Sequence, residues 1–442
     1  MTFTATLLRH FEAIPTPKVG RWTSYFHFTV LVWMMPILAA LQAQAAAADW
    51  PQFLGPDRNG IYSGPPLAAK WPNEGPTRLW SRDVGQGFSG PVATTDRVLI
   101  FHRVDDQETL ECMEARSGKA IWKDSTSTHY RDDFGFDEGP RATPAIANGR
   151  VLTLGAEGTA IARDFSTGKK LWSLDCKKEF SLRKGFFGLA PSPLIVGSNV
   201  ILNIGGTDRN GIIALNVQTG RKAWTCTDDE ASYASPVLTQ IGTHERVLVL
   251  TREALVSVDP KDGHVLFRYP WRPAMHASVS AATPLVLGDR IFLSASYGAG
   301  ATLLQYSESG PSVIWKKEEL LSNHYATSVV KGDLAFGFDG RQEQGCNLRC
   351  VSLREGSVVW EQEGLGAGTV MIAGKELLIL TEKGELIRTP ADRSGFHPSA
   401  RHQLLPFLAR AHPALSDGIF FARSKNKLFA FDLNPTSPSA SQ

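Results

Sequence analysis

Two arginines and two tyrosines, Arg141, Arg410, Tyr233 and Tyr325, each open a short phrase of small residues that recurs along the chain. A pair of guanidinium forks and a pair of phenols drawn to one place could hold an anionic or planar ligand. Lys184, in a basic and aromatic stretch that runs from Asp175 to Leu189, and His276 are expected on the same face. A plainer reading stays open: the same groups could cap an opening and bond carbonyls and water. The chain offers no catalytic set. No nucleophile elbow occurs, and no Gly-rich cradle precedes a helix. The stretch Asp124 to Gly139 carries Asp132, Asp133, Asp137 and Glu138, oxygen ligands of the kind calcium takes. Their spacing is not that of a known calcium loop. His276, His324 and His412 are too scattered in sequence to argue for a metal, and none is assigned.

The elements that must position these residues follow from repetition. The phrases begin at Phe88, Arg141, Ala190, Tyr233, Ala281, Tyr325, Ala367 and Arg410, and read as Arg-Ala-Thr-Pro, Ala-Pro-Ser-Pro or close variants. A second phrase, a Gly turn followed by a strand that closes on an aromatic, ends at Trp122, Trp172, Trp224, Phe267, Trp315 and Trp360. Between the two lie strand-like runs and hairpin signals such as Asn148-Gly149, where a type I′ turn needs positive φ at both residues. One unit therefore reads as four antiparallel strands, and a period of this size means a closed ring of sheets. Small residues suit the crowded inner strand, and Pro suits a strand start that need not donate. An aromatic on every unit reads as a packing wedge between neighbours rather than a ring of ligand-stacking indoles.

The last unit runs from His412 to Asp432 and lacks a fourth strand, whereas Pro76 to Ser81 is a fourth strand without a unit. Joining them closes the ring and removes an exposed edge. The expected fold is all-β: an eight-bladed β-propeller of four-stranded antiparallel blades, with the N- and C-terminal strands sharing one blade. The expected organisation is a signal peptide at 1–48, a lead-in at 49–77, the propeller at 78–434 and a disordered tail at 435–442.

The first 48 residues carry Arg9, Lys18 and Arg21, then an apolar run from Tyr25 to Leu41, then Ala43-Gln44-Ala45. This is the pattern of a cleaved secretory leader, with a retained anchor as the alternative. No Cys follows the run to accept a lipid. The expected location is the periplasm or the exterior, with no stable membrane span after cleavage. The 46 Lys and Arg nearly balance the 44 Asp and Glu, and no basic stripe argues for nucleic acid. Five cysteines leave at least one thiol unpaired. Cys346 and Cys350 are too far apart on one extended strand to bridge, roughly 13 Å. Cys112 and Cys350 hold equivalent places in their units and read as buried packing on an inner strand.

The phrase Asn216-Val217-Gln218-Thr219-Gly220-Arg221-Lys222-Ala223-Trp224 resembles the repeat of PQQ-binding-like β-propeller proteins. The opening Asp49-Trp50-Pro51-Gln52-Phe53-Leu54-Gly55-Pro56-Asp57-Arg58-Asn59-Gly60 is similar to the lead-in of exported members. The resemblance spans about 49–432 and implies the fold more than the activity. One branch comprises quinoprotein dehydrogenases, which use PQQ with calcium and an Asp base. This chain has no adjacent Cys-Cys, no haem-attachment motif and no position that matches the base. The other branch is typified by the outer-membrane assembly factor BamB, an eight-bladed, non-catalytic, lipid-anchored scaffold. The implied function is an exported binding or scaffold propeller, a monomer without a cofactor that meets an envelope protein or peptide. The alternative is a PQQ-dependent oxidoreductase with its ligand at the channel mouth. Carbohydrate binding is a third possibility without support from any residue of the sequence.

Overall fold

A computed structural model of the chain describes residues 49–435, Lys184 excepted. The leader expected at 1–48 and the end of the chain at 436–442 lie outside the described residues. Seven blades follow in sequence, starting with strands at Val92–Ala93, Ala145–Ala147, Leu194–Val196, Val237–Ile241, Leu285–Leu287, Val329–Lys331 and Gly368–Ala373. The eighth joins Ala414–Ser416, Ile419–Arg423 and Lys427–Asp432 to the N-terminal strand Thr77–Asp83. Within it Trp80 pairs with Ala430 and Ser81 with Phe429, antiparallel, so the two chain ends latch the ring as expected. One short helix, Cys176–Phe180, is capped by Asp175, whose side chain accepts from the Lys178 amide. No helix among the described residues is long and apolar enough to cross a membrane.

The recurring aromatic has a definite job. In seven blades the residue just before it is a bulge: Leu79, Ile121, Leu171, Ala223, Leu266, Ile314 and Val359 drop out of the ladder. A bulge re-aims the next side chain. The ring then swings toward the following blade. There the indole Nε1 donates to a backbone carbonyl: Trp80 to Ala115 (2.9 Å), Trp122 to Phe165 (3.0 Å), Trp172 to Val217 (3.0 Å) and Trp224 to Pro260 (3.0 Å). Trp315 and Trp360 repeat the bond to Leu353 and Asp392. Phe267 cannot donate and instead meets Tyr306 edge-on at 4.9 Å between ring centres. The Gly of the next turn lies against the indole. A Cβ at Gly118, Gly168, Gly220 or Gly263 would come within 2.4–2.7 Å of that ring, and each has positive φ.

A second lock runs round the axis. In five of the eight phrases the third residue accepts, through its hydroxyl, the backbone N–H of the phrase before it. Gly90 donates to Thr143 (3.1 Å), Thr143 to Ser192 (3.0 Å), Ser192 to Ser235 (2.9 Å), Ser235 to Thr283 (3.3 Å) and Thr283 to Thr327 (3.0 Å). The series skips Thr369, and the Thr327 amide reaches Nε2 of His412 at 3.5 Å. Small size was the expected reason for Ser and Thr here; the hydroxyl bond is an additional one.

The lead-in turns into the ring instead of lying outside it. Trp50 bridges to Ala93, the Pro51 carbonyl accepts from Ile146, and Ile61–Tyr62 adds a parallel strand to the seventh blade. Between them Arg58, fully buried, donates to the carbonyls of Ser192, Pro193 and Pro236 beside the axis. Burial without a carboxylate partner pulls its guanidinium down to about 9. Phe53 faces a cavity on one side of this plug, and Asp57, Asn59 and Ile61 face a separate one on the other.

All five cysteines are buried and free, and burial pushes the thiols up to about 12. Cys176 and Cys226 are not bridged. Cys112 and Cys350 do hold equivalent registers, opposite Trp122 and Trp360, but on the third strand of their blades rather than the inner one.

Glu108 of the first blade accepts the Ala156 amide of the second at 2.8 Å, and burial raises its carboxyl to about 7. A raised carboxyl favours the folded state below the folded value and loses that contribution as pH rises through it. The intact protein is therefore expected to lose about 2–3 kcal/mol between pH 5 and 8 from this group, and Glu108→Gln to flatten that slope in urea titrations at both pH values. The indole lock has its own test. Gly374 has positive φ but open space around its α-carbon, so Gly374→Ala reports backbone strain alone. Gly220→Ala is expected to cost about 1–3 kcal/mol more, since it also displaces Trp172. Equal shifts of the two denaturation midpoints would show that the contact does not tighten the ring.

Candidate functional site

Each inner strand starts at one face of the ring, so the leading residues of the phrases converge there. Phe88, Arg141, Tyr233, Tyr325 and Arg410 line one cavity of about 270 Å³ at the axis. His276 is not among them. It lines a neighbouring cavity of about 230 Å³ with Arg183, Phe186, Glu230 and Arg252, and its carbonyl accepts from Arg252. Lys184 lies outside the described residues.

Both arginines are already held. Arg141 donates to the carbonyls of Phe187 and Asp137, each at 3.1 Å, and stands 3.7 Å from the buried Asp132 carboxylate. It stacks over Phe88 and Phe187, so it staples two long connections to the first strand of its blade. Arg410 donates through Nε to Glu382 at 2.6 Å, and the Tyr325 hydroxyl donates to the same carboxylate oxygen at 3.1 Å. Burial and the facing Glu382 push the Tyr325 phenol well up, so it stays protonated. Tyr233 accepts the Phe187 amide at 3.3 Å, and burial raises its phenol too.

The acidic connection serves its own fold. Asp132 accepts the amides of Phe134, Phe136 and Asp137, which closes a tight loop around its carboxylate. That loop lifts Phe134 and Phe136 into solvent, 56 % and 65 % exposed. They meet Phe186 and Phe187 from the other long connection, with ring centres 5.3–6.3 Å apart. An aromatic rim on one side of the mouth results.

Several residues of the cavity were not singled out from sequence. Phe53 of the lead-in forms its floor, edge-on to His412 at 5.0 Å. His412 is fully buried, and burial lowers its imidazole to about 4, so it is neutral. Tyr297 bonds Nε2 of His324 at 3.1 Å, while Nδ1 of the same ring meets Gln342. Gln342 in turn donates to Glu343 at 3.0 Å. Burial lowers His324 as well. Tyr297, Gln342 and Glu343 sit on hairpins between second and third strands. In a four-strand blade that turn returns to the face where the first strand begins, which is the signal that could have found them.

A calcium-held quinone would need a cluster of oxygen ligands. Among the described residues no three His, Cys, Asp or Glu side chains come together to hold a metal ion. Asp132 and Glu382 are committed to loop amides and to Arg410, and the floor ring is Phe53 rather than an indole. The residues present do not fit that group.

Comparison with known proteins places this architecture. The family model described as outer membrane protein assembly factor BamB matches residues 72–203 and 106–362, together more than half of the chain. No curated protein sequence matches. Among solved structures, BamB from Moraxella catarrhalis is similar at 14 % identity and a TM-score of 0.59, over 83 % of this chain and 99 % of that one. The quinohemoprotein alcohol dehydrogenase from Comamonas testosteroni is similar at 13 % identity and a TM-score of 0.67, over 90 % and 83 %. The computationally designed Ika8 protein is similar at 13 % identity and a TM-score of 0.54, over 80 % and 98 %. At such identities the structural likeness shows the fold alone, whereas the matched repeats show descent: the chain belongs to the outer membrane protein assembly factor BamB family of PQQ-repeat β-propellers.

Proposed function

We propose that this protein is a non-catalytic binding propeller of the bacterial cell envelope, and that it captures a protein or peptide partner on the mouth face. The observation that carries this reading is the exposed phenylalanine rim. Phe134 and Phe136 are large apolar side chains more than half exposed, held in place by a loop built around Asp132. Aromatic anchors on an ordered support are the usual core of a binding hot spot. Membership of the BamB family supports the scaffold branch. The oxidoreductase branch has weaker support, because no metal-ligand cluster forms among the described residues.

A photo-crosslinking amino acid at position 134, activated in living cells, is expected to give a discrete adduct with an envelope protein. The same probe at Leu238, which lines the cavity beyond the plug, is expected to give none. Combined Phe134→Ser and Phe136→Ser is expected to weaken the captured pair by about 2 kcal/mol, roughly thirty-fold. Stoichiometric uptake of PQQ and calcium with dye-linked alcohol or sugar oxidation would instead place the protein in the oxidoreductase branch.

A further inference from the structure

Beneath the rim, the axial cavity has a chemistry of its own. Its walls are aromatic: Phe88, Phe187, Tyr233, Tyr297 and Tyr325 surround a floor made by Phe53. Its polar groups are mixed in kind and balanced in charge. Arg141 faces Asp132 at 3.7 Å and Arg410 faces Glu382 at 2.6 Å. Arg341, stacked on Tyr297 at 4.7 Å, is followed closely by the exposed Glu343. Arg141 and Arg410 thus each have a carboxylate beside them. His324 and His412 are kept neutral by burial.

Donors and acceptors remain for a guest. Arg410 uses Nε on Glu382, and its two terminal nitrogens form a fork at the cavity wall. The hydroxyls of Thr143, Ser192 and Ser235 each accept a neighbouring amide, which leaves the hydroxyl hydrogen to donate at the base of the cavity. Gln342 and Glu343 add an amide and a carboxylate at the opposite edge, and Tyr297 is held in place by His324.

Three kinds of guest can be weighed against this lining. An apolar side chain would bury the fork and the hydroxyls without partners, each stranded group opposing its binding. A polyanion would meet Glu343 on the lining, and Arg141 and Arg410, already paired behind it, hold little net charge to offer. A sugar ring satisfies both surfaces. Its C–H face is polarised by the ring oxygens and packs on the negative faces of aromatic rings. Its adjacent hydroxyls accept from a guanidinium fork and donate to amide and carboxylate oxygens.

We propose that the axial cavity binds one neutral sugar ring, as a terminal or branch unit of a glycan, seated on Phe53 and oriented by Arg410, Gln342 and Tyr297. This goes beyond capture of a protein on the rim and does not depend on it. Arg58, five residues beyond Phe53, ties the lead-in to the carbonyls of Ser192, Pro193 and Pro236, so the guest is expected to enter from the mouth and present one end.

The test is calorimetry and saturation-transfer NMR on the purified full chain with maltotriose, cellotriose, chitotriose and galactobiose, beside glucuronic acid, benzoate and a Phe-containing tripeptide. At least one neutral sugar is expected to bind, with saturation transfer concentrated on one terminal ring. Tyr297→Ala and Gln342→Ala, both in hairpin turns, and Arg410→Gln are each expected to weaken it at least tenfold. The Phe134→Ser variant, whose side chain does not line the cavity, is expected to leave sugar binding within twofold while weakening the captured protein pair. The loop variants keep the test valid should Arg410→Gln fail to fold. The proposal is overturned if no neutral sugar binds, if glucuronic acid, benzoate or the tripeptide binds more tightly than every neutral sugar, or if sugar binding survives all three cavity substitutions.

Discussion

An indole laid on a glycine turn of the next blade is the contact on which the ring depends. A four-stranded blade has two apolar faces and cannot shield either alone, so its stability comes from its neighbours. The bulge before each aromatic turns the ring outward, the turn glycine leaves room for it, and a carbonyl accepts its N–H. Size, backbone conformation and hydrogen bonding must all agree at this one place. Their agreement on blade after blade sets the angle between neighbours and so the number of blades that close. Where Phe267 replaces Trp, the hydrogen bond is lost, and an edge-on contact with Tyr306 keeps the spacing.

Near the axis the problem is reversed. Eight inner strands converge with little space, and their first amides face one another instead of a sheet partner. An arc of Ser and Thr hydroxyls answers this for five of them, each amide finding an acceptor on the next strand. The channel that remains is stopped by the lead-in. Arg58 supplies donors to three carbonyls there, a use for which Arg suits better than Lys because its fork reaches several acceptors at once. The same segment brings Phe53 up to the mouth. A tunnel through the ring is thereby divided into two cavities with different linings, and only the one at the mouth face is walled by aromatic rings.

The fold was legible because its signals are periodic. Turn, bulge, aromatic and axial phrase each recur, and the unmatched strands at the two ends announce their own pairing. Among the site residues, the leaders of the axial phrases were legible for the same reason: Arg141, Tyr233, Tyr325 and Arg410 stand where a repeat places them. His276 was not, since it follows the outer strand of its blade, and the connection carries it to the neighbouring cavity. Phe53 was illegible because nothing in a lead-in of turn residues states that it enters the axis; that depends on Arg58 finding carbonyls more than a hundred residues away. Tyr297 and Gln342 sit in hairpins that read as ordinary turns until the path of the second and third strands is drawn. The acidic stretch around Asp132 offered ligands for a cation on paper, but in the fold that carboxylate is consumed by the amides of its own loop.

Regularity and function are therefore written in different residues. What recurs from blade to blade, the indole on six of them, the turn glycine and the axial hydroxyl on five, answers to closure and leaves little freedom to change. What differs from blade to blade is gathered at one mouth: long connections after the first and second blades, a Tyr hairpin on the fifth, a Gln-Glu hairpin on the sixth, and Arg410 at the start of the eighth. These departures do not weaken the ring, because none touches the indole lock. Arg141 and Arg410 are paired with Asp132 and Glu382, burial keeps His412 neutral, and the Tyr325 phenol is raised rather than activated. Fixed rings and paired charges of that kind suit the recognition role proposed above, in which a guest is held by shape and by many modest hydrogen bonds.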